Sequence, residues 1–491
     1  MPTIPIRRIV SGFLSIFTGK VILFVATLII TPLLIRVLGS ADYGMYAFIL
    51  AVYSVARVIA GGGVLQGARK YISQEQETHQ KQAILGFYIA TAIVLGLVIG
   101  LAGFLIVWTG ALKLFLENRV VSLLSIIVIL LAIQPIYYVL RSSLMGFQAE
   151  QYSELLPVLD RVVFGITGLL LAWVGFGVMG ALYGHLIGLM SAVLTGLYFL
   201  RLYVPLGESL TNAASVVNKS SVLMYSGLSV ILVLLHKSLY NVDILLLQPF
   251  AGSTSTGYYK AALMIAQVIW FIPEAIQMVL LHSSSALWAE KEIENINKVI
   301  SKITRLTLLM TILTGIGLAT LAESFVPLYL GPEFHHSVIP LLLLIPGTIA
   351  FAVSRPIFAV GQGKGNLRVL LIATGVAALL NVILNLLLIP MFGIFGAAVA
   401  TSISYGSMLL FHIISAFRLG FNPLQDLRLI PISTTAMVGG VAIYLLAFSI
   451  VGRYLELLLV PPLGFLIYVV CAVVTGAVTI SEIKQLASHA I

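Results

Sequence analysis

Long apolar stretches separated by short polar segments run along the whole 491-residue chain. Stretches of about 18 or more apolar residues are typical of membrane-spanning helices, because a helix needs about 20 residues to cross the hydrocarbon core. Strands of a membrane barrel need only about 9–11 residues, so these stretches are too long for strands. The pattern therefore predicts an all-α polytopic membrane protein with about fourteen transmembrane helices.

The polar segments divide the chain into these predicted helices, whose ends are set to within a few residues. They cover residues 12–35, 44–67, 83–108, 120–145, 154–175, 179–202, 220–248, 256–281, 303–330, 337–360, 367–389, 393–417, 430–451 and 457–479. The first helix follows a basic start without a small-residue cleavage site, so it is expected to be retained. The three longest polar interruptions are predicted loops, at 73–82, 207–219 and 289–302.

A glycine-bearing segment between apolar runs occurs once in each half of the chain. LIRVLGSADYGMYA (Leu34–Ala47) recurs loosely as LLQPFAGSTSTGYYK (Leu246–Lys260), and a shift of 213 positions places Gly39 on Gly252. The same shift places Ser40, Gly44 and Tyr46 on Ser253, Gly257 and Tyr259. Each copy is predicted to form a polar turn between two helices.

A second pair of segments repeats at nearly the same spacing. GVMGA (Gly177–Ala181) matches GIFGA (Gly393–Ala397) after a shift of 216 positions. Two matches at almost one offset indicate an internal duplication, which is common among transporters. We therefore predict an N-terminal six-helix lobe over 1–205, a pseudo-symmetric C-terminal six-helix lobe over 206–420, and two additional helices over 421–491.

Composition agrees with this class of protein and orients the chain in its membrane. The chain is 60% hydrophobic and 9% charged, whereas soluble domains carry about 25% charge. If the N-terminus is cytoplasmic, seventeen basic residues fall in inside loops and ends and four in outside loops, namely Arg36, Lys113, Arg119 and Arg453. This asymmetry predicts a multi-pass protein of the cytoplasmic membrane with both termini inside. The net charge of +9 is then explained by topology and contact with membrane lipids, not by nucleic acid.

Apart from the basic residues assigned to loops and helix ends, six remain inside predicted spans, where a cation costs about 2.5–3.5 kcal/mol on insertion scales. They are Lys20, Arg57, Arg161, Lys237, Lys260 and Arg355. The acidic residues in spans are Asp160, Asp243, Glu274 and Glu323. Helical spacing places three polar sets on single faces: Tyr46, Tyr53 and Arg57; His236, Tyr240 and Asp243, with Lys237 and Asn241 beside them; and Lys260, Gln267 and Glu274.

The first two helices of each predicted lobe thus bear cations, which suggests a cleft that binds an anion such as phosphate or pyrophosphate. The candidate substrate-binding residues are Lys20, Arg57, Lys237, Lys260, Tyr46, Tyr53, Tyr240 and Asn241, with the tyrosines expected to stack on sugar rings. Structural alternatives are open: Lys20 snorkelling to the surface, Lys260 at the outer rim, Lys237 paired with Asp243, and Glu274 at the inner interface. Arg57 lies near mid-span and is the hardest to explain in structural terms.

Other polar residues have simpler expected roles. Arg161 is expected at an interface and His185 to be a packed residue, whereas Arg355 is left open between an interface and a cavity. Asn381 and Asn385, one helical turn apart, are expected to hydrogen-bond to another helix. The single cysteine excludes an intrachain disulfide, and no nucleotide-binding loop motif occurs.

The chain resembles polysaccharide and O-antigen flippases of the Wzx type, a family of the multidrug/oligosaccharidyl-lipid/polysaccharide (MOP) exporter superfamily. The resemblance lies in TPLLIRVLGSADYGMYAFILA, GARKYIS, LYLGPEFHHSVIPLLLLIPGTI and NVILNLLLIPMFGIFGAAVATSIS. It covers nearly the whole chain, and its motifs are loose one by one but specific in their order.

The resemblance implies a non-enzymatic flippase that moves a polyprenyl-(pyro)phosphate-linked oligosaccharide across the membrane by alternating access. No cofactor is expected, and an H⁺ or Na⁺ gradient would drive the cycle, with Asp243 and Glu274 as the coupling candidates. Glycan polymerases or glycosyltransferases of the same pathway are the implied partners. The alternatives are a lipid II flippase and a multidrug/cation antiporter of the same superfamily.

Overall fold

The computed structural model describes residues 6–61, 64–75, 77–114, 118–205, 219–289, 292–482 and 484. Its described α-helices are α1 (Ile6–Gly61), α2 (Val64–Gln74), α3 (Thr78–Trp108), α4 (Asn118–Gly146), α5 (Glu150–Leu171), α6 (Gly177–Leu200), α7 (Lys219–Ala266), α8 (Phe271–Ala289), α9 (Ile293–Leu330), α10 (Val338–Gly363), α11 (Leu367–Leu419), α12 (Leu429–Ser449) and α13 (Arg453–Val474). A π-helical segment, Ala172–Phe176, joins α5 to α6, and short 3₁₀ segments occur at Ala111–Leu114, Gln267–Trp270 and Pro332–Ser337.

Ten helical stretches within the described residues are long and apolar enough to cross a membrane, and the predicted all-α polytopic fold is confirmed. Four of these stretches contain glycines with a positive φ angle: Gly39 in the first, Gly175 and Gly177 in the second, Gly252 in the third and Gly393 in the fourth. A helix cannot continue regularly through such a residue. Dividing each of the four stretches once, at these glycines, would give fourteen segments, and the number of membrane crossings stays a prediction.

Four of these glycines form two pairs with matching backbone angles, at the shifts found in the sequence. Gly39 has φ 73° and ψ 174°, and Gly252 has φ 79° and ψ 174°. Gly177 has φ 52° and ψ −130°, and Gly393 has φ 55° and ψ −128°. An L-residue is strained in these regions, so the repeated glycines are a conformational requirement. The helix continues directly on both sides of Gly39 and Gly252, so each predicted polar turn is much tighter than a loop.

Small residues bring α5 and α6 into backbone contact. A Cβ added at Gly184 would lie 2.4 Å from Cα of Gly168, and one added at Gly188 would lie 2.6 Å from the carbonyl oxygen of Asp160. With Gly180, these residues form the four-residue spacing that allows close packing of membrane helices. A shift of 216 positions places small residues at the corresponding sites of α11: Gly396, Ala400 and Ser404.

Amphipathic helix forms in the predicted interruption 289–302 and in the charged segment that follows the predicted helix 44–67. The segment 289–302 contains the start of α9, where Ile296 and Ile300 are buried. Helix α2 similarly buries Ala68 and Ile72 while exposing Arg69. Each segment carries enough charge to end an apolar run, but its apolar residues recur at helical spacing and pack on neighbouring helices.

Asn381 and Asn385 do not make the predicted bonds to another helix. The amide nitrogen of Asn385 donates to the carbonyl oxygen of Asn381 at 2.9 Å, within α11 itself. Both side chains are fully buried. Three of their amide atoms have no hydrogen-bond partner among the described residues: Nδ2 and Oδ1 of Asn381, and Oδ1 of Asn385.

The chain divides into two compact units, 1–241 and 242–491, with the division inside α7. The predicted lobe boundary after residue 205 borders the segment 206–218, which lies outside the described residues. The predicted lobe boundaries, at 205 and 420, stay predictions. Helices α12 and α13 pack on α9 within the second unit through an apolar cluster that includes Leu309, Ile443 and Tyr468.

An ionic network holds the end of α13 against α9. Arg305 is fully buried on α9, donates to Glu482, and lies 3.2 Å from a carboxylate oxygen of Asp426. Its other terminal nitrogen donates to the carbonyl oxygen of Ala477 at 3.1 Å. Arg428 binds Asp426 at 2.9 Å. The network joins α9, the segment before α12 and the segment after α13, so it fixes the two terminal helices to the second unit.

Replacing Gly393 by alanine is expected to destabilise the protein by about 1–3 kcal/mol through backbone strain. No atom lies within 4 Å of a Cβ added at Gly393, so the effect would be conformational. Gly406 on the same helix is equally open and has no positive φ. Gly406→Ala should therefore be neutral or slightly stabilising. Thermal unfolding of the two purified variants in detergent measures the difference, and equal melting temperatures would contradict the backbone interpretation.

The ionic network should weaken in acid. Partial burial raises the pKa of Glu482, but hydrogen bonds from the Thr479 backbone and Arg305 outweigh this effect and lower the pKa to about 2. The ordinary value is 4.5, so the stabilisation is complete above that pH and is lost as the pH falls towards 2.

Glu482→Gln should therefore melt below the wild-type protein at pH 6, and the gap should narrow by pH 3. Glu294→Gln is the control, because Glu294 pairs with Lys298 on an exposed surface, where ion pairs contribute little. A gap of constant size for Glu482→Gln at the two pH values would refute the predicted pH dependence.

Candidate functional site

Arg57 and Tyr53 form a cation–aromatic pair on the part of α1 that follows Gly39. The guanidinium carbon of Arg57 lies 5.7 Å from the centroid of the Tyr53 ring. The Tyr53 hydroxyl donates to the side-chain oxygen of Gln134 on α4. Tyr53 is thereby fixed in orientation, and Arg57 is half-buried above it. The structure thus brings together two of the predicted substrate-binding residues.

A second guanidinium and a carboxylate from α5 belong to the same unit. Arg161 donates to the Thr31 hydroxyl at 3.1 Å, and its guanidinium carbon lies 5.1 Å from the Phe164 ring centroid. Asp160 interacts electrostatically with both Arg161 and Arg57. Arg161 is half-buried inside the unit. Asp160 forms no ion pair with either arginine among the described residues, and its one negative charge acts on two cations. The cluster therefore keeps a net positive charge.

Tyr46 does not present its ring to a ligand in this conformation. It is 5% exposed, and its hydroxyl lies 2.7 Å from Nε2 of His185. The His185 ring stacks on Phe164 with a centroid distance of 3.9 Å. The expected packing role of His185 agrees with these contacts. Tyr46 as a platform for a sugar ring stays a prediction.

The corresponding tyrosine of the second unit makes the corresponding bond. A shift of 213 positions takes Tyr46 to Tyr259, and a shift of 216 takes His185 to Thr401. The Tyr259 hydroxyl lies 2.9 Å from Oγ1 of Thr401. The duplication therefore preserves a hydrogen bond between two helices while one of its partners changes from histidine to threonine.

Asp243 adds a buried carboxylate to this second bond. Its side chain is fully buried, and it accepts hydrogen bonds from the Tyr259 hydroxyl and from the backbone nitrogen of Ile244 at 2.9 Å. The Thr401 hydroxyl lies 3.2 Å from the carboxylate and 2.9 Å from the Tyr259 oxygen, and its single proton serves one of these two acceptors. Lys260 is half-buried and interacts electrostatically with Asp243. These hydrogen bonds and the nearby Lys260 charge hold the carboxylate in one orientation.

The other predicted site residues occupy varied surroundings. Lys20 and Glu274 are exposed, Lys237 and Tyr240 are half-buried, and Asn241 is buried. The amide nitrogen of Asn241 donates to the backbone oxygen of Lys237 at 2.8 Å, one turn earlier in the same helix. The side chain of His236 lies outside the described residues.

Arg161, Gln134 and Thr401 were not among the predicted site residues. Only the duplication carried a signal for Thr401, because it falls on His185 at the shift that relates the second pair of segments. Among the described residues, no group of three His, Cys, Asp or Glu side chains is placed to hold a metal ion.

Apolar helices that carry half-buried cations and buried carboxylates in their interior define a polytopic membrane transporter. The chain belongs to the family described as "Polysaccharide biosynthesis protein", which matches residues 9–281. The MatE family matches residues 229–387. These matches confirm the resemblance to the polysaccharide flippases of the MOP superfamily.

Known relatives agree with this assignment. The chain is 25% identical over 392 residues to "Probable low-salt glycan biosynthesis flippase Agl15" of Haloferax volcanii, covering 78% of each chain. Its fold is similar to that of the lipid II flippase MurJ in an inward closed conformation, with a TM-score of 0.76 and 16% identity over 95% of this chain and 98% of that chain. It is also similar to an inward-facing multidrug resistance MATE transporter, with a TM-score of 0.61 and 16% identity over 80% of this chain and 94% of that chain.

Removing the Tyr259 hydroxyl should destabilise the second unit. Tyr259→Phe takes one donor from a buried carboxylate, which costs about 1.5–3 kcal/mol for a hydrogen bond to a charged group. Tyr258→Phe is the matched control, because the adjacent Tyr258 packs its ring against Phe334 and His336. Unfolding of both purified variants by denaturant titration measures the difference. Equal losses in the two variants would show that the Asp243 bond contributes nothing specific.

Proposed function

We propose that this protein flips a polyprenyl-(pyro)phosphate-linked oligosaccharide across the cytoplasmic membrane for the synthesis of a surface polysaccharide or glycoconjugate. The family assignment and the glycan flippase relative support this class of substrate. Transport occurs by alternating access, with both termini of the chain in the cytoplasm. Glycan polymerases or glycosyltransferases of the same pathway are the proposed partners.

The net positive charge of the first unit carries the proposal. Arg57 and Arg161 share the single carboxylate Asp160, and each guanidinium lies over an aromatic ring. Guanidinium groups bind phosphate oxygens with several directed hydrogen bonds. An anionic headgroup supplies the negative charge that this cluster lacks, and aromatic rings beside it suit the apolar faces of sugars.

Ion coupling is proposed at Asp243, with Glu274 as a second candidate. Asp243 is the better placed of the two. It lies on α7 and is buried against Tyr259 of the same helix and Thr401 of α11, whereas Glu274 is exposed. A proton or Na⁺ arriving at Asp243 would compete with the Lys260 charge and with the hydrogen-bond donors around the carboxylate. The competition would link the ionic state of Asp243 to the packing of α7 against α11.

A multidrug/cation antiporter is the second candidate, favoured by the MatE match over residues 229–387. Organic cations require accessible carboxylates in the binding cleft. Here the fully buried Asp243 is already occupied by internal donors, and Asp160 is already shared by two arginines. A lipid II flippase is closer in chemistry, because its substrate is also a lipid-linked diphosphate.

Flipping by purified protein tests the proposal directly. Proteoliposomes with a fluorescent lipid-linked oligosaccharide should show transfer of the glycan to the external leaflet, measured by its accessibility to an added glycosidase. Protein-free vesicles and vesicles with lipid II give the background and the main alternative. Transport of fluorescent organic cations without movement of either glycan lipid would favour the antiporter instead.

Arg57→Ala should reduce flipping at least about tenfold, because loss of one charge-assisted contact to phosphate weakens binding by that order. Arg453→Ala is the control, since Arg453 is exposed at the start of α13. Both variants are compared at equal amounts of folded protein in the vesicles. Full activity of Arg57→Ala would remove Arg57 from the binding site.

A further inference from the structure

Arg355 on α10 is held between two aromatic rings inside the second unit. Its guanidinium carbon lies 5.1 Å from the ring centroid of Trp270 and 5.1 Å from that of Phe351. One terminal nitrogen donates to the side-chain oxygen of Gln277 at 2.9 Å. Trp270 is fixed in turn, because its ring nitrogen donates to the Thr348 carbonyl at 3.1 Å. The guanidinium plane is therefore positioned by neutral groups.

No carboxylate among the described residues pairs with Arg355, and its Nε is buried without a hydrogen-bond partner there. The side chain as a whole is half-buried, so part of it is accessible. An ionised group inside apolar helices is strongly disfavoured without a counter-charge. Arg355 therefore has a charge that no carboxylate among the described residues neutralises and that an incoming anion would satisfy.

The duplication shows that this lack of a counter-charge is specific to the second half. A shift of 214 positions, within the range found above, takes Arg141 to Arg355. Arg141 forms an ion pair with Glu154 at 3.0 Å, and the Glu154 side chain is only 7% exposed. The first copy of this arginine is thus neutralised by the chain, whereas the second copy is bound by the neutral amide of Gln277.

The position of Arg57 also differs between the two halves of the duplication. The 213-position shift takes Arg57 to Trp270, so the second half has no guanidinium at that position. Arg355 supplies one from α10, and its guanidinium lies over Trp270 itself. Each half therefore presents a guanidinium over an aromatic ring, Arg57 over Tyr53 and Arg355 over Trp270.

We propose that Arg355 is an anion-binding residue that takes an oxyanion of the transported substrate, with Trp270, Phe351 and Gln277 as positioning residues. The proposal rests on the proposed function, because it assigns a further contact for the same substrate. The oxyanion is a phosphate of the lipid carrier or a carboxylate of an acidic sugar. A guanidinium binds both groups through paired N–H donors, and the experiment separates the two sources.

The test measures ligand binding to the purified full-length protein in nanodiscs. The probes are farnesyl diphosphate for the carrier headgroup, farnesol as its uncharged counterpart, and trigalacturonate for an acidic glycan. Arg355→Gln should lower the affinity for one anionic probe at least about tenfold and leave farnesol binding unchanged. Arg355→Lys keeps the charge but loses the planar pair of donors, so an intermediate affinity is expected.

Thermal stability distinguishes a binding residue from a structural one. Arg355→Gln removes an uncompensated charge, so its melting temperature should equal or exceed that of the wild-type protein. Arg141→Gln is the matched control, because it leaves Glu154 buried without its partner and should melt at a lower temperature. The control variant should retain wild-type affinity for the anionic probes when it is assayed in its folded state.

The outcomes separate this inference from the proposed function. Loss of farnesyl diphosphate binding in Arg355→Gln assigns the headgroup, and loss of trigalacturonate binding assigns the glycan. If the wild-type protein binds farnesyl diphosphate and Arg355→Gln binds it and trigalacturonate equally well, the inference is wrong while the function stands. Failure of the wild-type protein to bind either anion overturns both. A lower melting temperature for Arg355→Gln with unchanged affinities assigns Arg355 a structural role.

Discussion

An ionised side chain inside apolar helices needs a counter-charge or a ligand, and this constraint organises the polar interior of the protein. Within the described residues, Arg141 has Glu154, Arg305 has Glu482 and Asp426, and Asp243 has Lys260 beside it. These pairs join separate segments of the chain, so each also fixes the packing of its unit. The cations that no carboxylate neutralises are the ones available to bind an anionic substrate.

The duplicated backbone carries different chemistry in its two halves. Paired glycines repeat the same backbone angles, and Tyr46 and Tyr259 make corresponding hydrogen bonds. The first half then places a histidine at the partner position, whereas the second half places a threonine beside a buried carboxylate. The two halves therefore share one backbone scaffold but differ in the polar side chains that it carries.

Much of this architecture could be predicted from the sequence, because apolar periodicity and glycine position are local properties. The shifts of 213 and 216 residues pick out Gly39, Gly252, Gly177 and Gly393, which have positive φ angles in the structure. Amphipathic helices such as α2 are harder to predict from the sequence, because their charged residues are also typical of loops between membrane spans. The partners of buried charges were beyond the sequence: Glu482 lies 177 positions from Arg305, and nothing local to either residue indicates that they meet.

Site residues were predictable only where one helix carried the whole pattern. Tyr53 and Arg57 lie one turn apart and do pair, as their spacing suggests. Arg161 is expected at an interface because it follows Asp160 near a predicted helix start, and this stays a prediction. The structure shows that it is half-buried in the first unit and donates to Thr31. Tertiary packing determines whether a cation reaches the surface or stays inside, and the sequence does not contain that information in local form.

The leaflet distribution of lipid-linked oligosaccharide, in cells with and without this gene, tests the central claim most directly. A flippase predicts accumulation in the cytoplasmic leaflet when the gene is removed, together with loss of surface glycan. Restoring the gene should reverse both changes. An unchanged distribution of glycan lipids, with altered sensitivity to cationic drugs, would contradict the flippase assignment and favour a multidrug exporter.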